Sequence, residues 1–144
     1  MTALTHLPVS QDATIVLALA ETAIPFAACR EDEAERWVRV LRMHGQVGGA
    51  LQGLGVGEAP LETIADAPTV RATARDARCA VGTVRAAAQR YASGRGATLV
   101  STVDVLFAVF ETYGKTFDRA LYVRGASREE LIERLAAEPA LRRL

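Results

Sequence analysis

The sequence predicts an all-α fold built from two copies of one helical unit, and three observations predict it. An apolar pattern recurs at a nearly fixed offset along the chain, as a duplicated supersecondary unit would produce. Apolar residues elsewhere follow helical spacing, and no segment combines period-two alternation with turn-rich flanks. The apolar segments begin at serines or acids and end at glycines or prolines. We therefore expect two four-helix repeats, related by a pseudo-twofold axis, that form one compact domain.

The recurrence is specific to individual positions. At an offset of 69 residues, the pairs are Trp37 and Leu106, Val38 and Phe107, Val40 and Val109, Leu41 and Phe110, and Gly45 and Gly114. At an offset of 70 they are Ala50 and Ala120, Leu51 and Leu121, Gly55 and Gly125, and Leu61 and Leu131. One inserted residue explains the change of offset. Phe107 is expected in the core, and four further side chains should be mostly buried between the repeats: Trp37, Leu41, Leu106 and Phe110. The pattern predicts a single domain over residues 1–144, with repeats at about 8–67 and 69–139.

The first half contains signals for four helices. Ser10, followed by Gln11 and Asp12, opens the first, and Pro25 ends it, because the proline ring excludes the preceding residue from the α region. The acidic run at 31–33 suits the positive amino end of a second helix, which stops at Gly45. Two short helices follow, at residues 47–54 and 61–65.

The second half repeats this order with clearer boundaries. The predicted helices cover about residues 70–91, 103–113, 116–123 and 131–137. Ser101 or Thr102 caps the second of these helices. Ser127, with Glu130 three residues later, forms a capping box for the fourth.

Composition and charge limit the classes of function. No apolar run reaches the roughly 18 to 20 residues of a membrane span, and the amino terminus has no secretory pattern, so we expect a cytoplasmic protein without a membrane partner. Net charge is zero, which argues against general nucleic-acid affinity. Residues 1–66 carry nine acids and four arginines (−5), and residues 67–144 carry eight acids and thirteen bases (+5). This asymmetry permits head-to-tail pairing of copies, and thus a homo-oligomer, or an anionic partner.

The residue types that carry catalysis or bind metals are scattered. Cys29 and Cys79 lack the spacing of a metal site or redox pair, and His6 and His44 are far apart. The chain has no phosphate-binding GxxxxGK[ST] loop and no nucleophile elbow. We expect no catalytic residues, no metal and no cofactor, and hence a protein that is not an enzyme.

The order of motifs between Ala88 and Leu135 resembles the amino-terminal domain of Clp-type ATPases. In that family an Ala-rich helix leads through a glycine loop to a Val-Gly-Thr-Glu-His start and an apolar helix, then to a short helix ending in Leu-Gly-Val and a Leu-rich helix. The matching segments here are Ala88, Ala92 and Gly94, then Val100 to Phe110, Ala120-Leu121 to Gly125, and Leu131-Ile132 to Leu135. The first half is similar through Leu19-Ala20, Ala23, Trp37-Val38, Val40-Leu41 and Leu54-Gly55-Val56.

The resemblance implies a standalone, divergent, bacterial domain of the Clp amino-terminal type. Such a domain would bind protein substrates, adaptors or Clp ATPase components. The chain stops at Leu144, so we expect no ATPase module to follow. The binding residues that the resemblance favours are Leu7, Ser10, Glu35, Arg78, Thr102 and Asp104.

The helix starts depart from the family pattern. Some family members bind phosphorylated arginine through a Thr-Glu pair there, but this chain keeps Thr102 and has Val103 in place of the acid. Asp104 follows one position later, about 100° around a helix, and Ala34 lies at the first-repeat position. We therefore expect that phosphoarginine recognition is not retained.

An alternative function rests on arginines along the long helix. The residues are Arg71, Arg75, Arg78, Arg85, Arg90 and Arg95, and they fall on roughly one face. They are typical of a solvated face opposite an apolar stripe, or of a strip that binds phosphates. The second interpretation gives a helical regulatory protein that binds nucleic acid or another anionic partner through the Arg71–Arg95 face.

Overall fold

Helices account for nearly all regular structure in the computed structural model, which describes residues 7–56 and 74–137, with backbone alone at 74–79 and 137. Within these ranges the α-helices are α1 (Gln11–Ala23), α2 (Arg30–Arg42), α3 (Gly45–Gly53), α4 (Ala74–Gly94), α5 (Thr102–Tyr113), α6 (Lys115–Val123) and α7 (Arg128–Ala137). A 3-10 turn, Ile24–Phe26, follows α1. One isolated parallel bridge, between Val9 and Val100, is the sole β pairing in the described ranges. The predicted all-α fold class is confirmed.

Several predicted helix ends are confirmed by their caps. The backbone N–H of Ala13 donates to Ser10 Oγ at 3.1 Å, so Ser10 begins α1. That helix ends at Ala23, two residues before Pro25, and the chain continues into the 3-10 turn. The amide of Glu130 donates to Ser127 Oγ at 3.1 Å at the start of α7.

Other boundaries differ from the predictions. Gly45 does not end α2, which stops at Arg42; it is the first residue of α3 and has φ +79°. The helix α4 runs on to Gly94, and α7 begins at Arg128, because its capping serine precedes the first apolar residue by several positions. The predicted helix at 61–65 lies outside the described residues, as does the predicted start of the long helix at 70–73.

The ends of α3 and α6 repeat one backbone geometry. Gly55 and Gly125, a pair in the sequence recurrence, have φ of +86° and +84°. The next amides, of Val56 and Ala126, donate to Leu51 O at 3.0 Å and Leu121 O at 2.9 Å, as in a Schellman motif. The recurrence therefore extends to local conformation. The superposition of two repeats, at about 8–67 and 69–139, stays a prediction.

One hydrophobic cluster contains buried residues from both halves of the chain. Trp37, Leu41 and Leu106 have no exposed surface and Phe110 is 5% exposed, so the predicted burial of these four side chains is confirmed. Across the halves, α2 packs on α6 and α3 packs on α5. In each contact the second helix of one half packs on the third helix of the other, as expected of two copies of one unit.

A buried chain of hydrogen bonds also joins the halves. Trp37 Nε1 donates to Tyr113 Oη at 3.1 Å, and Tyr113 Oη donates to Glu33 Oε1 at 2.7 Å. Burial, reinforced by the bond to Glu33, raises the pKa of Tyr113 above its usual range. The acidic start of α2 thus does more than complement the helix dipole, because Glu33 accepts the hydrogen bond of the buried Tyr113 hydroxyl in the other half.

The segment before α1 is tied to the second half. Leu7 N donates to Gln89 Oε1 at 2.9 Å, and Gln89 Nε2 donates to Leu7 O at 3.0 Å. Ser10 N donates to Val100 O, and Val100 N to Pro8 O, each at 2.9 Å. The start of α1 therefore lies beside the start of α5.

Candidate binding cleft

A surface cleft lies between the carboxyl end of α4 and the first turns of α5. It encloses about 350 Å³ and is lined by Arg90, Tyr91, Gly94, Arg95, Val103, Asp104 and Phe107. Val103 and Phe107 are half-buried, and Tyr91 is 37% exposed, so apolar and aromatic groups face solvent here. Its volume falls at the lower end of the range for ligand pockets.

The acid in this cleft is already bound by the chain itself. Asp104 is 1% exposed, and its carboxylate accepts Arg95 Nε at 2.8 Å and Nη2 at 2.6 Å. Asp104 Oδ2 also accepts the Ser101 amide at 2.9 Å, which closes a capping box at the start of α5. The positive end of α5 is therefore neutralised internally, and a bidentate guanidinium occupies the carboxylate.

An ion pair with a tyrosine hydroxyl forms one edge of the cleft. Arg90 Nη2 donates to Glu111 Oε2, and Tyr91 Oη donates to Glu111 Oε1, both at 2.9 Å. These two hydrogen bonds lower the pKa of Glu111. The same carboxylate fixes the tyrosine ring at the edge of the cleft.

A line of aromatic rings leads from the cleft into the core. Ring centroids are 5.9 Å apart for Tyr91 and Phe107, 5.8 Å for Phe107 and Phe110, and 5.6 Å for Phe110 and Phe117. The sequence pattern indicated Phe107 as a core residue, but it is only half-buried, because its ring lies where the core meets the cleft.

The structure brings several predicted binding residues to the start of α5. Ser10 lies there through its hydrogen bond to Val100, and Leu7, close to it in the chain, is bonded to Gln89 of α4. Thr102 is 3% exposed, and its Oγ1 and Cγ2 would both lie 2.8 Å from a Cβ added at Gly45. Asp104 lines the cleft, whereas Leu7, Ser10 and Thr102 are used in tying the two halves together.

Glu35 is placed elsewhere. It is 8% exposed, and its Oε1 accepts Arg124 Nε at 3.0 Å across the contact between α2 and the end of α6. Asp104 is 69 positions further along the chain, so the acids at equivalent positions of the recurrence each hold an arginine of the chain. Arg78 lies within α4, and its side chain is outside the part that the structure describes.

Sequence reasoning missed Tyr91 and Phe107 as residues of the cleft, and it placed Arg95 on an anion-binding face rather than beside Asp104. Their partners are nine to twenty residues away in sequence, across the packing of α4 on α5. One usable signal was the spacing of Ser101 and Asp104, which is that of a capping box and implies that the acid serves its own helix.

The arginine face of α4 can be followed only where its side chains are described. Arg85 donates to Glu21 at 2.5 Å, and Arg90 and Arg95 pair with Glu111 and Asp104. Arg71 lies outside the described residues, and the side chains of Arg75 and Arg78 are likewise outside them. Every described member of the face has a carboxylate partner, which weakens its interpretation as a phosphate strip.

Two further grooves lie on other faces. One, of about 290 Å³ between α1 and α2, is lined by Leu19, Thr22, Ala23, Arg36, Arg39, Val40 and Met43. The other, of about 320 Å³, lies where α6 turns into α7 and includes the exposed Tyr122. Neither contains a residue that the sequence indicated for binding.

Within residues 7–56 and 74–137, no three His, Cys, Asp or Glu side chains are grouped as a metal site would require. Cys29 is a half-buried free thiol, and Cys79 has its side chain outside the described part. In the same ranges, no helix has both the length and the apolar content needed to cross a bilayer.

No protein-family model matches the chain, and no curated protein matches it significantly.

Proposed function

We propose that this chain is a non-enzymatic protein-binding module of the Clp amino-terminal kind, and that it holds polypeptide segments in the cleft between α4 and α5. The observation that carries the proposal is the exposed aromatic and apolar surface of the cleft, made by Tyr91, Val103 and Phe107. Exposed apolar patches with a polar rim are typical of protein interaction sites.

The charged groups around the cleft support binding rather than chemistry. Asp104 is bound by Arg95, and Glu111 is bound by Arg90 and Tyr91, so neither carboxylate is arranged as a free general base or nucleophile. Rings and guanidinium groups of this kind are enriched where proteins bind one another. The partners in this proposal are protein substrates, adaptors or Clp ATPase components, and the compartment is the cytoplasm of a bacterium.

The test is fluorescence anisotropy with a labelled, permanently unfolded polypeptide such as reduced and carboxymethylated lactalbumin. Saturable binding of the unfolded protein, and not of its native form, is expected. Tyr91→Ala removes an exposed ring of the cleft, and such anchors contribute about 1–2 kcal/mol, so affinity should fall roughly five- to thirtyfold.

Tyr122→Ala is the matched control, because Tyr122 is 79% exposed on α6, outside the cleft. Equal losses from the two substitutions would place binding elsewhere, and the absence of any binding to unfolded or Clp proteins would refute the proposal. A purified Clp ATPase, tested by co-elution, distinguishes a component of the protease from a substrate as the partner.

A further inference from the structure

We infer that the cleft between α4 and α5 recognises the carboxyl terminus of a polypeptide whose last residue is apolar. This inference rests on the proposed function and specifies its ligand. Three features of the cleft favour such a ligand: its size, the charged groups on its rim and the N–H donors that remain unused there.

The size of the cleft fits one residue at a chain end. A volume of about 350 Å³ accommodates one large side chain and its adjoining backbone, but not a folded surface or a helix. Val103 and Phe107 supply the apolar contact surface, with Tyr91 at the edge, so the favoured side chain is aliphatic or aromatic.

Guanidinium groups are the most exposed charged groups at the cleft, although each is paired with a carboxylate. The side chains of Arg90 and Arg95 are 64% and 49% exposed, whereas Asp104, the acid that lines the cleft with them, is 1% exposed. The remaining carboxylate, on Glu111, is 43% exposed at the edge of the cleft, where it accepts hydrogen bonds from Arg90 and Tyr91. The mouth therefore presents two exposed guanidinium groups and one exposed carboxylate, so a ligand that accepts guanidinium N–H groups is favoured over a cation.

These guanidinium groups keep unused donors. Arg95 bonds to Asp104 and Ser101 through Nε and Nη2, and Arg90 bonds to Glu111 through Nη2. Within the described part of the chain, Nη1 of either arginine and Nε of Arg90 make no hydrogen bond. A planar carboxylate can accept such donors in charge-assisted hydrogen bonds without breaking the internal ion pairs.

A chain end supplies both features in one residue. In a carboxyl-terminal Leu or Phe, the α-carboxylate is attached to the carbon that carries the apolar side chain. An apolar residue within a peptide has only neutral amides beside it. The juxtaposition of rim arginines and an aromatic floor therefore selects the end of a chain over its interior.

The experiment compares fluorescent ten-residue peptides that differ only at the last residue: Leu as the free acid, Leu as the carboxamide, and Asp as the carboxamide. The free-acid Leu peptide should bind about tenfold more tightly than either amide, since the charge-assisted hydrogen bonds are lost in one and the apolar contact in the other. Arg90→Gln should abolish most of the preference for acid over amide.

Arg85→Gln is the matched control. Arg85 lies on the same helix, is 46% exposed and pairs with Glu21, as Arg90 pairs with Glu111, but it does not line the cleft. Both substitutions remove one exposed charge, so the same unfolding midpoint as wild type is expected for each. Arg85→Gln should retain the preference for the free acid.

The outcomes separate this inference from the function on which it rests. Equal binding of the acid and the Leu amide, with Tyr91→Ala still weakening both, overturns carboxylate recognition and leaves a protein-binding cleft. Tight binding of the Asp amide indicates a site for acidic side chains and overturns it too, as does an equal effect of Arg85→Gln and Arg90→Gln. If neither the peptides nor unfolded proteins bind, the proposed function itself fails.

Discussion

Replacing Gly45 with alanine perturbs the place where the starts of three helices meet. Gly45 begins α3 with φ +79°, and an added Cβ would lie 2.8 Å from Oγ1 and Cγ2 of Thr102 in α5 and 3.3 Å from Cβ of Asp12 in α1. A positive φ costs an alanine about 1–2 kcal/mol, and overpacking typically costs about 1–3 kcal/mol. We expect Gly45→Ala to lower the free energy of unfolding by about 2–5 kcal/mol.

Alanine substitutions at two other glycines distinguish the cost of the positive φ from the cost of overpacking. Gly55 has φ +86° with no atom within 4 Å of an added Cβ, so Gly55→Ala should cost only the conformational part, about 1–2 kcal/mol. Gly49 lies within α3 with the same open surroundings and no positive φ. Gly49→Ala should therefore stabilise the protein by up to about 1 kcal/mol, the difference in helix propensity.

A double-mutant cycle isolates the steric part. Thr102→Ala removes the two atoms that would lie 2.8 Å from the new methyl group, so Gly45→Ala should cost less in that background than in wild type. The coupling free energy should be about 1–3 kcal/mol. No such coupling is expected between Gly55→Ala and Thr102→Ala.

The assay is urea denaturation followed by the fluorescence of Trp37, the single tryptophan, which is fully buried. Unchanged slopes would show that the change is in stability rather than in the extent of unfolding. If Gly45→Ala costs no more than Gly55→Ala, or if the cycle shows no coupling, α3 does not begin against Thr102 and the packing of the halves described here is wrong.

Three further predictions follow from the polar contacts. The folded-state pKa of Tyr113 is raised, so above about pH 10, the usual pKa of tyrosine, this residue ionises more readily in the unfolded chain and the free energy of unfolding should fall. Tyr113→Phe should show a smaller fall than wild type when both are unfolded with urea across this pH range. In calorimetry, free phosphoarginine should bind no more tightly than arginine plus phosphate, because Asp104 already holds Arg95. Val103→Glu should strengthen the binding of phosphoarginine about ten- to a hundredfold. Tight binding of phosphoarginine by the wild type would contradict this prediction. Labelled duplex DNA should show no salt-dependent shift, because the described arginines of α4 are paired, and a steep salt slope would restore the nucleic-acid alternative.

The sequence was sufficient to predict features that depend on local physics. Ser10 and Ser127 were predicted as caps because a hydroxyl before a helix has a nearby amide to accept. The recurring apolar positions predicted the burial of Trp37 and Phe110, since helical spacing determines which face is buried. Gly45 was misassigned because a glycine with positive φ can open a helix as well as close one.

The cleft could not be predicted in the same way. Arg95 and Asp104 are nine residues apart, and only the turn between α4 and α5 determines that they meet. The pairing of Glu35 with Arg124 spans 89 residues and depends on how α2 packs on α6, which no local pattern encodes. The resemblance therefore gave Glu35 and Asp104 a binding role, whereas in the folded chain each of these carboxylates pairs with an arginine of the same chain.

The contacts of residues 7–10 affect how the protein opens. The side chain of Gln89 and the backbone of Val100 hold this segment by hydrogen bonds that span 82 residues or more, so the segment is fixed in place only when α4 and the loop after it have formed. Contacts of such long sequence separation slow folding. In hydrogen exchange, the amides of Ser10 and Val100 should lose protection together, and the two ends of this link should open as one cooperative unit although they lie in different halves of the sequence.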